Sequence, residues 1–360
     1  MAKIKVLVID DSALVRNLLT EIINDDPSCE VVGTAQDPII ARDKIKVLNP
    51  DVLTLDVEMP RMDGITFLEK LMRLRPMPVV MVSSLTEAGA DVTLQALEYG
   101  AVDFVSKPKI DLVHGLKEYS EEIIRKIKLA ARANIKALDR APIDRLEVTP
   151  NLTASAVLSK TTKIRQFKTT DQIIAIGAST GGTEAIKDVL VALPEAMPGI
   201  VITQHIPAAF SGPFAQRMNA SSRLNVCEAE DKQQILPGHV YIAPGHSHLL
   251  VERSGARYVC RLDDGPRVNR HRPSVDVLFR SVAQYVGPNA IGVILTGMGA
   301  DGAEGMKEMH DSGAFTIAQD EKSSIVWGMP GESVKAGGVD KILPLISIPK
   351  RVLECTKDRS

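Results

Sequence analysis

The chain is most informative first in what it does not contain. In its 360 residues no apolar run approaches the ~20 residues a membrane-spanning helix requires, so direct membrane insertion is not expected. Its four cysteines, Cys29, Cys227, Cys260 and Cys355, are far apart and form no C-x-x-C pair. That excludes a disulfide framework or a cysteine-built zinc site and suits a reducing compartment. There is almost no net charge, with 43 Lys and Arg against 45 Asp and Glu, which argues against a general nucleic-acid binder. The apolar start Val6-Leu7-Val8-Ile9 is too short for a signal-peptide core and ends at Asp10-Asp11, so a cytoplasmic protein is expected. No G-K-[ST] phosphate loop occurs.

What is present is a repeated alternation of strand and helix. From Met1 to about Leu112 it runs through five strands: Lys5 to Ile9, Glu30 to Ala35, Asp51 to Leu55, Pro78 to Val82 and Ala101 to Val105. Short connections predict a parallel sheet with helices on both faces. An amphipathic helix around Leu116 to Ala130 follows, and the pattern fails from Asp139 to about Thr170, which predicts a linker. The alternation resumes at Ile173. We therefore expect a first domain at 1–125, a helix end and flexible linker at 126–169, and a second domain at 170–350. Both should be doubly wound α/β folds, flavodoxin-like first and a larger Rossmann-like domain second. Turn residues at Ser254-Gly255 predict one antiparallel hairpin in the second domain.

In open α/β sheets the site lies at the carboxyl ends of the strands. In the first domain these ends carry Asp10 and Asp11, then Asp56, then Ser83, then Lys107-Pro108. Clustered carboxylates are costly unless a cation sits among them, and Mg²⁺ favours such oxygen ligands. With Leu55-Asp56-Val57-Glu58-Met59-Pro60 and Asp63-Gly64, the domain resembles the receiver domain of two-component response regulators. The resemblance implies a phosphoryl group on Asp56, donated by a chemotaxis histidine kinase. It implies Mg²⁺ held by Asp11, Asp56 and the backbone carbonyl of Glu58. Asp10, Ser83, Phe104 and Lys107 would support the site, with Ser83 and Phe104 changing position on phosphorylation.

In the second domain the apolar run Ile173-Ile174-Ala175-Ile176 ends in Gly177-Ala178-Ser179-Thr180-Gly181-Gly182. Gly177 to Gly181 fits G-x-S-x-G, so Ser179 is either a nucleophile on a strand-to-helix turn or part of a phosphate cradle. His205 and Asp301 also follow strands, and a serine nucleophile needs such a base and such a carboxylate. The Gly297-Met298-Gly299 loop offers backbone donors for an oxyanion. The order Ser, His, Asp is not that of α/β-hydrolases. His246 and His248 have no companions for a zinc set. Arg267, Arg270, His271 and Arg272 form a basic patch, which reads either as a solvated loop or as a contact for an acidic protein substrate.

Ile176 to Gly182, Gln204-His205, Tyr241 to Gly245, Pro273 to Asp276 and Leu295 to Gly302 together resemble the catalytic domain of the bacterial chemotaxis protein-glutamate methylesterase/protein-glutamine glutaminase family. The resemblance implies Ser179, His205 and Asp301 as a triad, the Met298 backbone as oxyanion donor, and no cofactor for the hydrolysis. The substrates would be methyl-accepting chemoreceptors, losing methanol from glutamate esters or ammonia from glutamines. The rival readings are a phosphorylation-controlled nucleotide-binding module and a DNA-binding response regulator. The second domain is too large and strand-rich for a helix-turn-helix output.

Overall fold

The computed structural model describes residues 2–83, 87–107, 113–135 and 171–358. The predicted linker from Asp139 to Thr170, like Ser84 and Pro108, lies outside the described residues. The first unit runs β1 (Ile4–Ile9), α1 (Ala13–Asp25), β2 (Cys29–Ala35), α2 (Pro38–Leu48), β3 (Val52–Asp56), α3 (Gly64–Leu74), β4 (Val79–Ser83), α4 (Glu87–Glu98), β5 (Asp103–Ser106) and α5 (Val113–Ala130). Its five strands pair in parallel in the order β2-β1-β3-β4-β5. The strands that form the middle of this sheet are continuous apolar runs, because helices cover both faces. Ser12, Asp37 and Asp63 cap α1, α2 and α3 through their side-chain oxygens.

The second unit follows as β6 (Ile173–Ala178), α6 (Gly182–Ala192), β7 (Gly199–Gln204), α7 (Ala208–Ser221), β8 (Asn225–Glu228), β9 (His239–Ile242), β10 (His248–Ser254), β11 (Arg257–Asp263), α8 (Val275–Tyr285), β12 (Ala290–Ile294), α9 (Ala303–Asp311), β13 (Phe315–Gln319), α10 (Met329–Lys335), β14 (Lys341–Leu343) and α11 (Ile348–Asp358). Seven strands pair in parallel in the order β14-β13-β12-β6-β7-β9-β8. The predicted hairpin is β10–β11, a separate two-stranded sheet rather than part of the main one. β6 is flanked by β7 and β12, so three neighbouring strands deliver their following loops to one rim. The second domain, expected to end at 350, continues through α11, which packs on α6 and β13.

The two units share buried apolar clusters. α4 packs on α7. The Phe104 ring stacks on Phe210 at 4.6 Å, and Thr180 Oγ1 donates to Asp103 Oδ2 at 2.5 Å. Glu98 pairs with both Lys187 and Arg217 across the same boundary. At the far end of α5, the Asn134 amide donates to the Ile325 carbonyl at 3.1 Å.

Gly177 is where β6 passes under α8. A Cβ there would sit 2.2 Å from Val275 Cγ1 and 3.0 Å from Phe279 Cζ. Gly177→Ala is therefore expected to destabilise the second unit by about 1–3 kcal/mol, the usual cost of overpacking. Urea unfolding followed by circular dichroism checks this, and an unchanged midpoint would show that α8 is free to move away.

Candidate active site

The first rim collects Asp10, Asp11 and Asp56, and one carboxylate oxygen from each lies within 4.8 Å of the other two. Lys107 Nζ contacts Asp56 Oδ2 at 2.8 Å and Asp10 Oδ2 at 3.6 Å. Burial, and after it the neighbouring Asp10 charge, pushes the Asp56 carboxyl up to about 6 despite Lys107. Burial likewise raises Asp10, whose Oδ2 has no hydrogen-bond partner. Gly64 lets α3 start against Asp56: a Cβ there would meet the Asp56 carbonyl oxygen at 2.1 Å. The Glu58 amide donates to Asp56 Oδ1 at 3.3 Å. Ser83 is buried beside this cluster, its Oγ donating to the Gly89 carbonyl at 3.3 Å. Phe104 points the other way, into the contact with Phe210, and Lys126 Nζ lies 5.0 Å over its ring.

The second rim brings together the residues that follow β6, β7 and β12. Ser179 is half-buried, and its amide donates to the Thr296 carbonyl at 3.1 Å, tying the loop to the neighbouring strand end. Gly181, at φ +73°, starts α6 in a backbone conformation that favours glycine. Gln204 Nε2 donates to the carbonyls of Ser179 (2.9 Å) and His205 (3.2 Å), locking the two loops together. His205 Nδ1 lies 3.0 Å from Ser179 Oγ, and His205 Nε2 lies 2.7 Å from Asp301 Oδ2.

Asp301 is 2% exposed yet surrounded by donors. Besides His205, its carboxylate accepts from Ser274 Oγ (2.7 Å), the Val275 amide (2.7 Å), Asn269 Nδ2 (2.8 Å) and, more weakly, the Asp276 amide (3.4 Å). It thus sits on the N-terminus of α8, where unpaired amides and the helix dipole favour an anion. Burial alone would raise its pKa, but the His205, Asn269 and Ser274 contacts hold it well below the usual carboxylate range. An ionised Asp301 only accepts, so His205 carries its proton on Nε2 and presents a bare Nδ1 to the Ser179 hydroxyl.

The loop after β12 is pinned by the Gly297 amide, which donates to the Val326 carbonyl at 3.0 Å, and by Gly328 and Met329 amides donating back to Gly297. Met298 follows it, half-buried, at the boundary with the first unit. This loop, Gly297 to Gly302, also has the spacing G-x-G-x-x-G between a strand and a helix. Asp301 is its fifth residue, and a carboxylate there opposes a dinucleotide pyrophosphate.

The predicted basic patch divides. Arg272 Nη1 donates to the Asp264 and Gly265 carbonyls at 2.6 and 2.9 Å. His271 instead stacks on His205, with ring centroids 3.7 Å apart and planes within 7°. Burial, then the adjacent His205, drives the His271 pKa down to about 3, so it is neutral against its neighbour. His248 is a support: its Nδ1 accepts from the Ser274 amide at 3.1 Å and its Nε2 meets the Pro266 carbonyl at 3.0 Å. Among the described residues, the one group of carboxylate, His or Cys side chains close enough to hold a metal is Asp10, Asp11 and Asp56. Sequence reasoning assigned no role to Asn269, Ser274, Asp276, Thr180 or Phe210. Ser274 and Asp276 lie in a motif the resemblance quoted, which is the one signal that pointed near them.

The receiver-domain profile of response regulators matches residues 6–116, and the CheB methylesterase profile matches residues 174–352. The protein-glutamate methylesterase/protein-glutamine glutaminase of Hydrogenovibrio crunogenus is 58% identical over 99% of this chain and 100% of its own length. A Geobacter metallireducens protein of the same name is 61% identical over 97% of this chain and 95% of its own. The crystal structure of the Thermotoga maritima CheB methylesterase catalytic domain superposes with a TM-score of 0.50 at 37% identity, covering 51% of this chain and 98% of that one. With a flavodoxin-like receiver ahead of a parallel α/β domain that carries Ser179, His205 and Asp301 on adjacent strand ends, the chain belongs to the protein-glutamate methylesterase/protein-glutamine glutaminase family.

Proposed function

We propose that this chain is a phosphorylation-controlled serine hydrolase that removes methyl esters from glutamates of chemoreceptors and deamidates receptor glutamines. The observation that carries this reading is the continuous contact chain Ser179 Oγ–His205–Asp301, at 3.0 and 2.7 Å. Ser179 Oγ attacks the γ-carbonyl while its proton passes to His205 Nδ1. We assign the Met298 amide as donor to the developing oxyanion, and Asp301 stabilises the imidazolium through Nε2. The intermediate then collapses as His205 passes its proton to the departing oxygen or nitrogen, releasing methanol from an ester or ammonia from a glutamine. Water hydrolyses the acyl-enzyme, with His205 again as base. Methanol release from methylated receptor tests the reading: Ser179→Ala is expected to abolish it, and equal release by wild type and variant would sink it. Asp301→Asn favours the wrong His205 tautomer, so turnover should fall by about 10⁴.

The first unit supplies control. Asp56 accepts a phosphoryl group from a histidine kinase, with Mg²⁺ held by Asp11, Asp56 and the Glu58 carbonyl. The donor set fits: three carboxylates within 4.8 Å, one with a buried oxygen that accepts no hydrogen bond. When bound, the ion neutralises charge on the transferring group. Asp56 is a carboxyl whose folded pKa is raised to about 6. The metal-free unit therefore loses stability as pH rises from about 4 toward 6, because the fold disfavours the ionised form. Mg²⁺ binds the ionised form, so its stabilisation should grow from pH 5 to pH 8 in thermal unfolding and vanish in Asp56→Asn.

Before phosphorylation the first unit holds the loops of the second through Asp103–Thr180, Phe104–Phe210 and Glu98–Lys187/Arg217. Thr180 is adjacent to the nucleophile, and this packing restrains and covers the rim. Glu98→Lys reverses one of these attractions. It is expected to raise unphosphorylated activity several-fold and leave phosphorylated activity close to that of wild type. Unchanged basal release would remove this contact from the control mechanism.

A further inference from the structure

We infer that Asn269 is a positioning residue of the esterase reaction, bracing Asp301 through a turn that only a small set of residues can form. The inference rests on the serine-hydrolase reading above and adds to it a residue outside the Ser179–His205–Asp301 chain. Asn269 and Arg270 lie consecutively at φ +51° and +69°, in a region that non-glycine residues seldom enter. Val268 and His271 close this turn with reciprocal backbone bonds of 3.0 and 2.8 Å. Such an excursion is kept only where the surroundings over-determine it, and it marks a place where geometry is needed.

What the turn delivers is one amide nitrogen between two buried carboxylates. Asn269 Nδ2 donates to Asp301 Oδ1 at 2.8 Å and to Asp276 Oδ2 at 2.6 Å, using both of its hydrogens. The other Asp276 oxygen accepts from the Gly305 amide at 2.7 Å, near the start of α9. Asp276 belongs to α8, and Asp301 to the loop that leads into α9. Asn269 therefore couples the two helices that frame Asp301 and separates two like charges. The same turn places the His271 ring on His205.

The requirement explains the residue type. Asparagine tolerates the left-handed conformation and supplies two hydrogens from one short side chain. Glycine meets the first need only, and alanine neither. Aspartate would add a third carboxylate. Losing the amide leaves Asp301 with one donor fewer and its charge less dispersed, so it attracts the imidazolium of His205 more strongly. The charged and titratable groups that face His205 and this pair are Asp301 and Asp276 themselves, Glu304 beside Asp276, the stacked His271, and Arg125 and Arg267 acting on His271. None of them takes over the lost donation to Asp301 Oδ1.

The test is the pH profile of methanol release by the full-length chain and its Asn269→Gly and Asn269→Ala variants on methylated receptor, with thermal unfolding alongside. Both variants should lose on the order of tenfold in kcat, because Asp301 and through it His205 are no longer held in position, with KM unchanged. In both, the acidic limb of kcat/KM should move to higher pH by about half a unit. Only Asn269→Ala should also lose thermal stability through its backbone, since glycine keeps the turn. A wild-type kcat and an unmoved acidic limb in Asn269→Gly would overturn the inference. Loss of stability and activity in both variants with the limb unmoved would also overturn it, by showing a merely structural brace. If wild type itself released no methanol, the esterase reading would fall first.

Discussion

The arrangement depends on keeping one carboxylate ionised in the interior. Asp301 is almost wholly buried, and an unpaired buried charge would protonate rather than persist. The fold answers with donors from several elements: the first amides of α8, the Ser274 hydroxyl, Asn269 and His205. Much else follows from satisfying it. α8 must begin where β6 and β12 end, so Gly177 has no side chain under Val275. His248, buried at the start of β10, spends a ring nitrogen on the Ser274 amide that opens the helix. The tautomer of His205, with a bare Nδ1 toward the Ser179 hydroxyl, is a consequence of the charge on Asp301.

The parallel sheet makes this constellation affordable in backbone terms. β6, β7 and β12 are adjacent, so short loops place Ser179, His205 and Asp301 within hydrogen-bond reach without long excursions. Cross-links between the loops then fix them: Gln204 to the carbonyls of Ser179 and His205, and the Ser179 amide to Thr296. Such fixing is what converts proximity into a reactive geometry, because small misplacements of reacting atoms are costly.

Most of the fold was legible because both sheets are parallel. Buried strands read as apolar runs, and the residue after each run falls on a known rim, so Asp10, Asp56, Lys107, Ser179, His205 and Asp301 could all be placed from order alone. The misses have physical reasons. α10 contains Pro330 and Gly331, which weaken any helical pattern, and β14 has only three residues. Asn269 and His271 lie on an irregular turn with no periodicity, so their contacts with Asp301 and His205 depend on backbone angles that spacing does not encode. His271 in particular sits among three arginines in sequence, and composition assigned it to a charged patch, whereas burial against His205 makes it neutral. The G-x-G-x-x-G spacing at Gly297 to Gly302 shows the converse hazard, a nucleotide-like pattern whose fifth residue is the buried carboxylate.

The link between the two rims follows from the same economy. β5 is four residues long, about 13 Å at the rise of a parallel strand. Its first two residues, Asp103 and Phe104, touch the Thr180 hydroxyl and the Phe210 ring of the second unit. One residue beyond its last, Lys107 holds Asp56, and the Lys107 amide donates to the Ser83 carbonyl at 2.6 Å. Asp103 is also anchored by the half-buried Lys126, which packs over Phe104. A change of charge at Asp56 thus acts at one end of a short edge strand, paired along one side to β4, whose other end bears on Thr180 beside Ser179. Coupling through β5 needs no long pathway, only two arrangements of Lys107 and Phe104 that differ in their contacts with the second unit.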